Sequence, residues 1–280
     1  MQTKPKPILK WVGGKTKLLP YIIENLPSHE FKDYYEPFVG GASVIIELLS
    51  KDLDCKRQYY ISDINKNLIN VYDTIQNKLD ELILELNNEK YCNNQENYYI
   101  NRTRFNIIKS DNVIDNNIEK ASLFIYLNKC SFNGIYRENL SGKFNTPFGK
   151  MKNPKICDDV TLTNFKNIIQ NVTIKDDRYQ SILELTKKND LVYLDPPYHN
   201  TFTSYNSDKF GEDQQHELKL FIDELTQKGV NVMMSNSATD FIKELYKDYT
   251  IINITTKYSL GGKGVDRGGN KQEVLIKNYI

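Results

Sequence analysis

One short stretch constrains this 280-residue chain more than any other. Asp190-Leu191-Val192-Tyr193-Leu194-Asp195 is an apolar run closed by Pro196-Pro197. Proline donates no backbone N–H and cannot continue a ladder, so the run reads as a buried strand that stops at the end of a sheet. Around it the chain alternates between extended and helical patterns. Tyr34 to Phe38 reads as extended, and Gly40-Gly41 leads into an apolar helix with Ala42, Val44, Ile45, Ile46, Leu48 and Leu49. A strand at Tyr59 to Ser62 precedes a helix capped by Asp63 or Asn65, with Leu68, Ile69, Val71, Tyr72 and Ile75 at helical spacing. After Pro197 the pattern resumes. We expect a helix from Gln214 to Leu225, a break at Gly229, a strand from Val230 to Met234 and a helix from Thr239 to Tyr246. Strands Thr250 to Thr255 and Glu273 to Lys277 follow, joined by a loop from Gly261 to Gly269 and able to pair as a hairpin. The fold class is α/β.

The middle of the chain differs in kind. From about residue 76 to 171 it is first helical and rich in Leu and Ile. It turns Asn-rich at Asn87 to Asn97 and becomes a Gly/Asn/aromatic loop region from Asn128 to Pro154. We read it as a mostly helical insertion between two parts of one core, 1–75 and 172–280, and the Asn-rich stretch as compositional drift.

Composition narrows the possible chemistry. Cys55, Cys92, Cys130 and Cys157 form no CxxC pair, and His29, His199 and His216 have no ligand spacing, so neither a disulfide framework nor a metal site is expected. No apolar run is long enough to span a bilayer, and the N-terminus has no signal-peptide pattern; an intracellular chain is expected. Trp11-Val12-Gly13-Gly14-Lys15-Thr16 ends like a phosphate loop, but Leu9 stands where that pattern needs glycine.

Two motifs carry chemistry. Phe38-Val39-Gly40-Gly41-Ala42-Ser43 lies between strand and helix, where small residues allow close approach of a ligand. The next acidic strand end, Asp63, has the offset at which nucleoside-binding α/β folds hold ribose hydroxyls. A structural turn would show the same glycines. Asp195-Pro196-Pro197-Tyr198 is more specific. It offers a carboxylate and the Pro196 carbonyl as two acceptors for an exocyclic amino group, and Tyr198 as a flat face for a base turned out of a duplex. A strand ending in a proline turn with a capping Asp is the bland alternative.

Taken together, the ordered motifs resemble the Dam-type DNA adenine-N6 methyltransferases, from Lys10 to the C-terminus. They are Lys10-Trp-Val-Gly-Gly-Lys15, Tyr35-Glu-Pro-Phe-Val-Gly-Gly41, Asp63-Ile-Asn65, Phe132-Asn-Gly134 with Arg137, Gly142-Lys-Phe-Asn145 with Pro147-Phe-Gly149, Asp195-Pro-Pro-Tyr198, and Ser235-Asn236. The resemblance implies a Rossmann-like methyltransferase core ending in a β-hairpin, with a helical target-recognition insertion. It implies S-adenosylmethionine as cofactor, bound by Trp11, Lys15, Phe38, Gly40, Asp63 and the Asp195 strand end. Asp195, Pro196, Pro197 and Tyr198 would hold the flipped adenine. Double-stranded DNA would be the partner and GATC the usual target. Lys10 and Arg137 match positions that contact guanines, Phe132 an aromatic wedge, and Asn133, Ile135 and Pro147 their neighbours. Lys129 stands where arginine is common. Ala42 departs from the family's F-x-G-x-G, and we expect a tighter loop or weaker cofactor binding there. N4-cytosine methylation and a catalytically silent DNA-binding relative are the alternatives. In a bacterium such an enzyme would work in the cytoplasm, at the nucleoid.

A formal charge of +1 first argues against nucleic-acid binding, yet the charges are segregated. Lys4, Lys6, Lys10, Lys15 and Lys17 have no acid among them. Lys129, Arg137, Lys143, Lys150, Lys152 and Lys155 face only Glu138, and Lys257, Lys263, Arg267 and Lys271 only Asp266. The rest of the chain is therefore acidic, and DNA binding on one basic face should be salt-sensitive.

Overall fold

The computed structural model describes residues 5–51, 57–110, 117–200, 210–257 and 270–280. Seven strands form one sheet: β1 (Tyr34–Glu36), β2 (Tyr59–Ser62), β3 (Val172–Lys175), β4 (Leu191–Leu194), β5 (Asn231–Ser237), β6 (Thr250–Lys257) and β7 (Asn270–Lys277). Their spatial order is β3-β2-β1-β4-β5-β7-β6. The first five run parallel; β7 inserts antiparallel between β5 and β6. This is the α/β, Rossmann-like arrangement expected, with the terminal hairpin paired as anticipated. The hairpin loop lies outside the described residues.

Alternation along the central strands explains the layers. Tyr34, Tyr193 and Met233 point into one apolar cluster, with α2 (Ser43–Lys51) and α3 (Lys66–Asn77). Tyr35, Val192, Leu194 and Val232 point into the other, with α8 (Glu212–Gln227) and α9 (Asp240–Leu245). A parallel strand covered on both faces must be apolar at every position, as Leu191–Leu194 is. The chain leaves β1 toward β2 and β3, then returns to β4 on the other side of β1. The crevice at the C-terminal ends of β1 and β4 is thus the switch point where such sheets bind ligands.

Between β2 and β3 the chain forms α4 (Leu79–Leu86), α5 (Gln95–Ile108), α6 (Asn117–Cys130) and α7 (Asp159–Ile169); the short α1 (Leu19–Glu24) precedes β1. Residues Lys120 to Asn128 of α6 are all buried, so this helix is enclosed on every side. One sequence expectation needs correcting, and one open choice is decided. The Asn-rich stretch has a structural use: Asn88 caps the 3-10 turn Glu89–Tyr91 and Asn94 caps α5, each accepting a backbone N–H that the helix end leaves open. Asn65, not Asp63, caps α3, accepting from the Asn67 and Leu68 amides. Strand β3 was not anticipated. It is an edge strand with only Val172 fully buried, too short for its alternation to stand out.

Candidate active site

A cleft of about 1660 Å³ opens at the switch point. Trp11, Lys15, Phe38, Gly40, Asp63, Asp195, Pro196, Pro197 and Tyr198 all line it. These residues come from distant parts of the sequence and converge because β1, β2 and β4 end side by side.

Asp195 sits at the centre of the site. Its Oδ2 lies 2.5 Å from the Lys15 ammonium, and the Ser235 hydroxyl donates to its Oδ1 at 2.8 Å. Ser235 is placed by Tyr193, whose hydroxyl lies 3.0 Å from it. Burial pushes the Asp195 carboxyl up, and the Lys15 and Ser235 contacts pull it back. Lys15 also donates to the Gly13 carbonyl at 2.6 Å and stands 4.8 Å from the centre of the buried Tyr198 ring. The buried ammonium thus holds the carboxylate and caps the aromatic face at once. Sequence reasoning placed Lys15 beside a cofactor; the geometry also pairs it with the Asp195-Pro196-Pro197-Tyr198 turn.

Asp63, at the end of β2, accepts from the Gly40 amide at 3.0 Å and from the Asn65 amide at 2.9 Å. Burial pushes its carboxyl up to about 6, against those two bonds. One acid therefore ties the glycine turn to the next strand and presents a carboxylate edge to the cleft. Gly40 has φ of 44°, and a Cβ there would come within 2.8 Å of the Trp11 indole. Trp11 in turn lies against Tyr136 and Phe124, with ring centroids 6.0 and 6.3 Å away. Phe38 stacks on Tyr179 at 5.4 Å. Ala42 adopts φ of 59°, a left-handed conformation that costs an L-residue about 1 kcal/mol, and its buried methyl joins the core. Where the family pattern has its second glycine, the chain therefore carries local backbone strain.

Glu36 had no role in the sequence reading beyond its place in a motif. It is buried at the end of β1, lines the cleft, and accepts from the Tyr34 hydroxyl at 2.8 Å. Burial drives its carboxyl up to about 8, with the Asp195 charge adding to the rise and the Tyr34 bond opposing it. Ser235 was equally silent; its neighbour Asp195 lies 40 residues away in sequence, across the α8 crossover from β4 to β5.

The remaining predicted residues, Lys10, Lys129, Phe132, Asn133, Ile135, Arg137 and Pro147, do not line the cleft. Phe132, Asn133, Ile135, Arg137 and Pro147 stand on the segment beyond α6, with Lys129 in the last turn of that helix and Lys10 brought to it from the N-terminal part of the chain. The Phe132 amide donates to the Pro147 carbonyl at 2.9 Å, and isolated bridges join Ser131 to Phe148 and Glu138 to Phe144. Phe132, Asn133, Pro147 and Lys10 are exposed, and Phe132 shows 52% of its surface, too much for a residue that anchors the loop in the core. Lys10 is packed against Gly134, where a Cβ would lie 2.8 Å from the Lys10 Cβ, and its backbone exchanges two hydrogen bonds with the Asn128 side chain. Arg137 is held by Asn145, whose Oδ1 accepts from Nε at 2.7 Å. Lys129 is half-buried, and burial lowers its ammonium, with Lys10 adding to the effect and Asp158 opposing it. Behind the segment, Glu138 pairs with Lys109 and accepts from the Tyr136 hydroxyl; these three side chains line the cleft from the other side. Among the described residues, no cluster of His, Cys, Asp or Glu could hold a metal ion, and no helix is long and apolar enough to cross a membrane.

Comparison with known proteins adds an independent line. Residues 11–260 match the model of the D12 class N6 adenine-specific DNA methyltransferases. The chain is 38% identical to type II methyltransferase M.MjaIII of Methanocaldococcus jannaschii, covering 98% of this chain and 99% of that protein. It is 32% identical to type II methyltransferase M.CviBI of Paramecium bursaria Chlorella virus NC1A, over 98% of this chain and 100% of that protein. It is 32% identical to the DNA adenine methylase of Escherichia coli K12, over 99% and 96%.

Proposed function

The chain belongs to the D12 class N6 adenine-specific DNA methyltransferases, and from that premise we propose that it transfers a methyl group from S-adenosylmethionine to adenine N6 in duplex DNA, within GATC. The observation that carries the reading is the Lys15–Asp195–Ser235 arrangement beside Tyr198, at the mouth of a cleft that Asp63 and the Gly40 turn close. The cleft fits the cofactor. It has a carboxylate edge for ribose hydroxyls at Asp63, the half-buried Phe38 ring on its wall for an adenine ring, and volume for both a cofactor and a base.

When bound, S-adenosylmethionine supplies an electrophilic methyl on a sulfonium whose departure leaves a neutral thioether, and the methylated N6 releases one of its two protons to solvent. What remains for the protein is alignment, exclusion of water and control of the amino group. Asp195 and the Pro196 carbonyl accept the two N6 hydrogens, which draws the nitrogen lone pair out of ring conjugation and toward the methyl. Ser235 fixes the rotation of the carboxylate. Lys15 holds the carboxylate in place before substrate arrives and yields Oδ2 when N6–H donates to it. Tyr198 stacks on the extruded base.

The segment carrying Arg137 is the proposed reader, and residues 76–171 the target-recognition insertion. Asn145 Oδ1 restrains the guanidinium through Nε, and a restrained guanidinium suits bidentate pairing with guanine O6 and N7. Exposed Phe132 wedges beside the extruded base, while Lys10 lies next to it and reads a second guanine. Asn133, Ile135 and Pro147 line the same edge, and Lys129 contacts the DNA backbone.

The test is labelled-methyl transfer to duplexes bearing GATC and each single-base variant, with hydrolysis and separation of N6-methyladenine from N4-methylcytosine. N6-methyladenine on GATC, with variants labelled far more slowly, is expected. Equal labelling of every duplex would overturn the GATC reading, and N4-methylcytosine would overturn the adenine reading of this site.

A further inference from the structure

Behind the Asp195-Pro196-Pro197-Tyr198 turn lies a buried polar network that the chemistry described so far does not use. Gln215, in the first turns of α8, and Asn236, on β5, have no exposed surface. Gln215 Nε2 donates to the Pro197 carbonyl at 3.0 Å, and Asn236 Nδ2 donates to Gln215 Oε1 at 3.1 Å. Asn236 Oδ1 accepts from the His199 amide at 3.1 Å and the Ser237 amide at 2.8 Å. The Ser237 hydroxyl then donates to the His199 carbonyl at 2.7 Å.

The arrangement answers a problem the prolines create. Pro196 and Pro197 donate nothing, so this part of the turn can be anchored only through its carbonyls. Gln215 takes the Pro197 carbonyl and Asn236 takes the His199 N–H, so the two amides hold the backbone immediately before and immediately after Tyr198. Each amide is fixed in orientation by its neighbours, and a buried amide is tolerated only when so satisfied. With the Pro197 carbonyl committed, the acceptors left for a substrate are Asp195 and the Pro196 carbonyl.

We propose that Gln215 is a positioning residue for methyl transfer, which, through Asn236, clamps the backbone on both sides of Tyr198 and so sets the pose of the extruded base. This rests on the reading of Tyr198 as the base-stacking face.

Gln215→Glu keeps the side-chain shape and the acceptor for Asn236 but loses the donor. While ionised, the new carboxylate opposes the Pro197 carbonyl; once protonated, it can donate to it. Burial raises the pKa of such a group, which brings its titration into a measurable range. We expect the single-turnover rate on a GATC duplex to fall about 100-fold at about pH 8.5, a loss typical of misplaced reacting groups. Relative to wild type, the rate should recover about tenfold by about pH 6, with cofactor and duplex Kd within about threefold throughout. Gln215→Met should show the same loss without the recovery, and decides the matter if Gln215→Glu does not fold. Rates within about twofold of wild type in the folded variants would overturn the proposal. So would a parallel loss of rate and of both binding affinities, which marks a merely structural role. Tyr198→Ala separates the two readings. If it keeps the full rate, the base-stacking assignment fails; if it loses the rate while the Gln215 variants keep theirs, only the clamp fails.

Discussion

In the proposed function, the turn after β4 and the segment from Phe132 to Gly149 would meet the substrate with opposite kinds of support. Asp195 and Tyr198 stand at the end of a fully buried strand, and their polar neighbours Lys15, Ser235 and Glu36 are buried as well. Phe132, Asn133 and Pro147 are exposed, and the segment is joined across itself by two isolated bridges rather than a ladder. The proposed methyl transfer, which depends on sub-ångström alignment, is assigned to the sheet, where backbone and side chains are determined by packing on two faces. The proposed reading depends on side chains that must leave water for DNA, and the residues assigned to it stand on irregular backbone held from behind by Asn145, Asn128 and Glu138. The segment meets the cleft wall through the stack of Tyr136 on Trp11, which itself packs against the Gly40 turn.

The comparison is most easily broken at Asp195. Asp195→Ala should lower single-turnover transfer by about 10²–10³-fold or more, as expected when a preorganised group at the reacting centre is lost. Duplex affinity should stay within about threefold, because the reading segment is untouched. A variant that turns over normally would remove Asp195 from the chemistry. Lys109→Met tests the other region. It leaves the Glu138 carboxylate on the cleft wall without its ammonium partner, so the segment loses its rear support. The KM for duplex should rise about tenfold with kcat changed less than about threefold; a fall confined to kcat would place the brace on the chemical side instead.

Glu36 gives a smaller, pH-dependent effect. Its folded-state carboxyl titrates at about 8, against an ordinary 4.5. Between those values the folded chain retains a proton that the unfolded chain has released, so stability falls as pH rises through that window. Glu36→Gln keeps an acceptor for Tyr34 and abolishes the titration. Its Tm relative to wild type should therefore climb between pH 5 and pH 8, by about 2–4 °C for each kcal/mol recovered. A difference independent of pH would show that Glu36 is charged in the folded state. The smallest effect is expected of Ala42→Gly. Relief of about 1 kcal/mol of left-handed strain is offset by the lost buried methyl and by the freer unfolded chain, leaving stability within about 0.5 kcal/mol. A loss well beyond that would mean that the Ala42 methyl outweighs its backbone strain.

What the sequence made legible was whatever is written locally. The Leu191–Leu194 run, the proline pair that ends it, the glycine turn and the Asp63 strand end each declare themselves within a few residues, and their order along the chain matches one family. Partnerships across the sheet are written nowhere locally. Ser235 and Gln215 reach the turn only because β5 lies beside β4 and α8 covers it, and Glu36 is silent until its burial is known. Asn88 and Asn94 looked like drift because capping depends on where a helix begins, which composition does not give. Strand β3 was hidden for a related reason: at the sheet edge only one face needs apolar residues, and four residues are too few to show it.

The division of labour between the two regions is tested most directly by Arg137→Ala. Single-turnover methyl transfer should be followed at saturating cofactor on a GATC duplex and on duplexes with either guanine replaced. The division predicts that discrimination against one guanine replacement falls by about 1–3 kcal/mol in the variant, while the rate at saturating GATC duplex stays within about tenfold of wild type. Unchanged discrimination, or an equal collapse of transfer on every duplex, would contradict it.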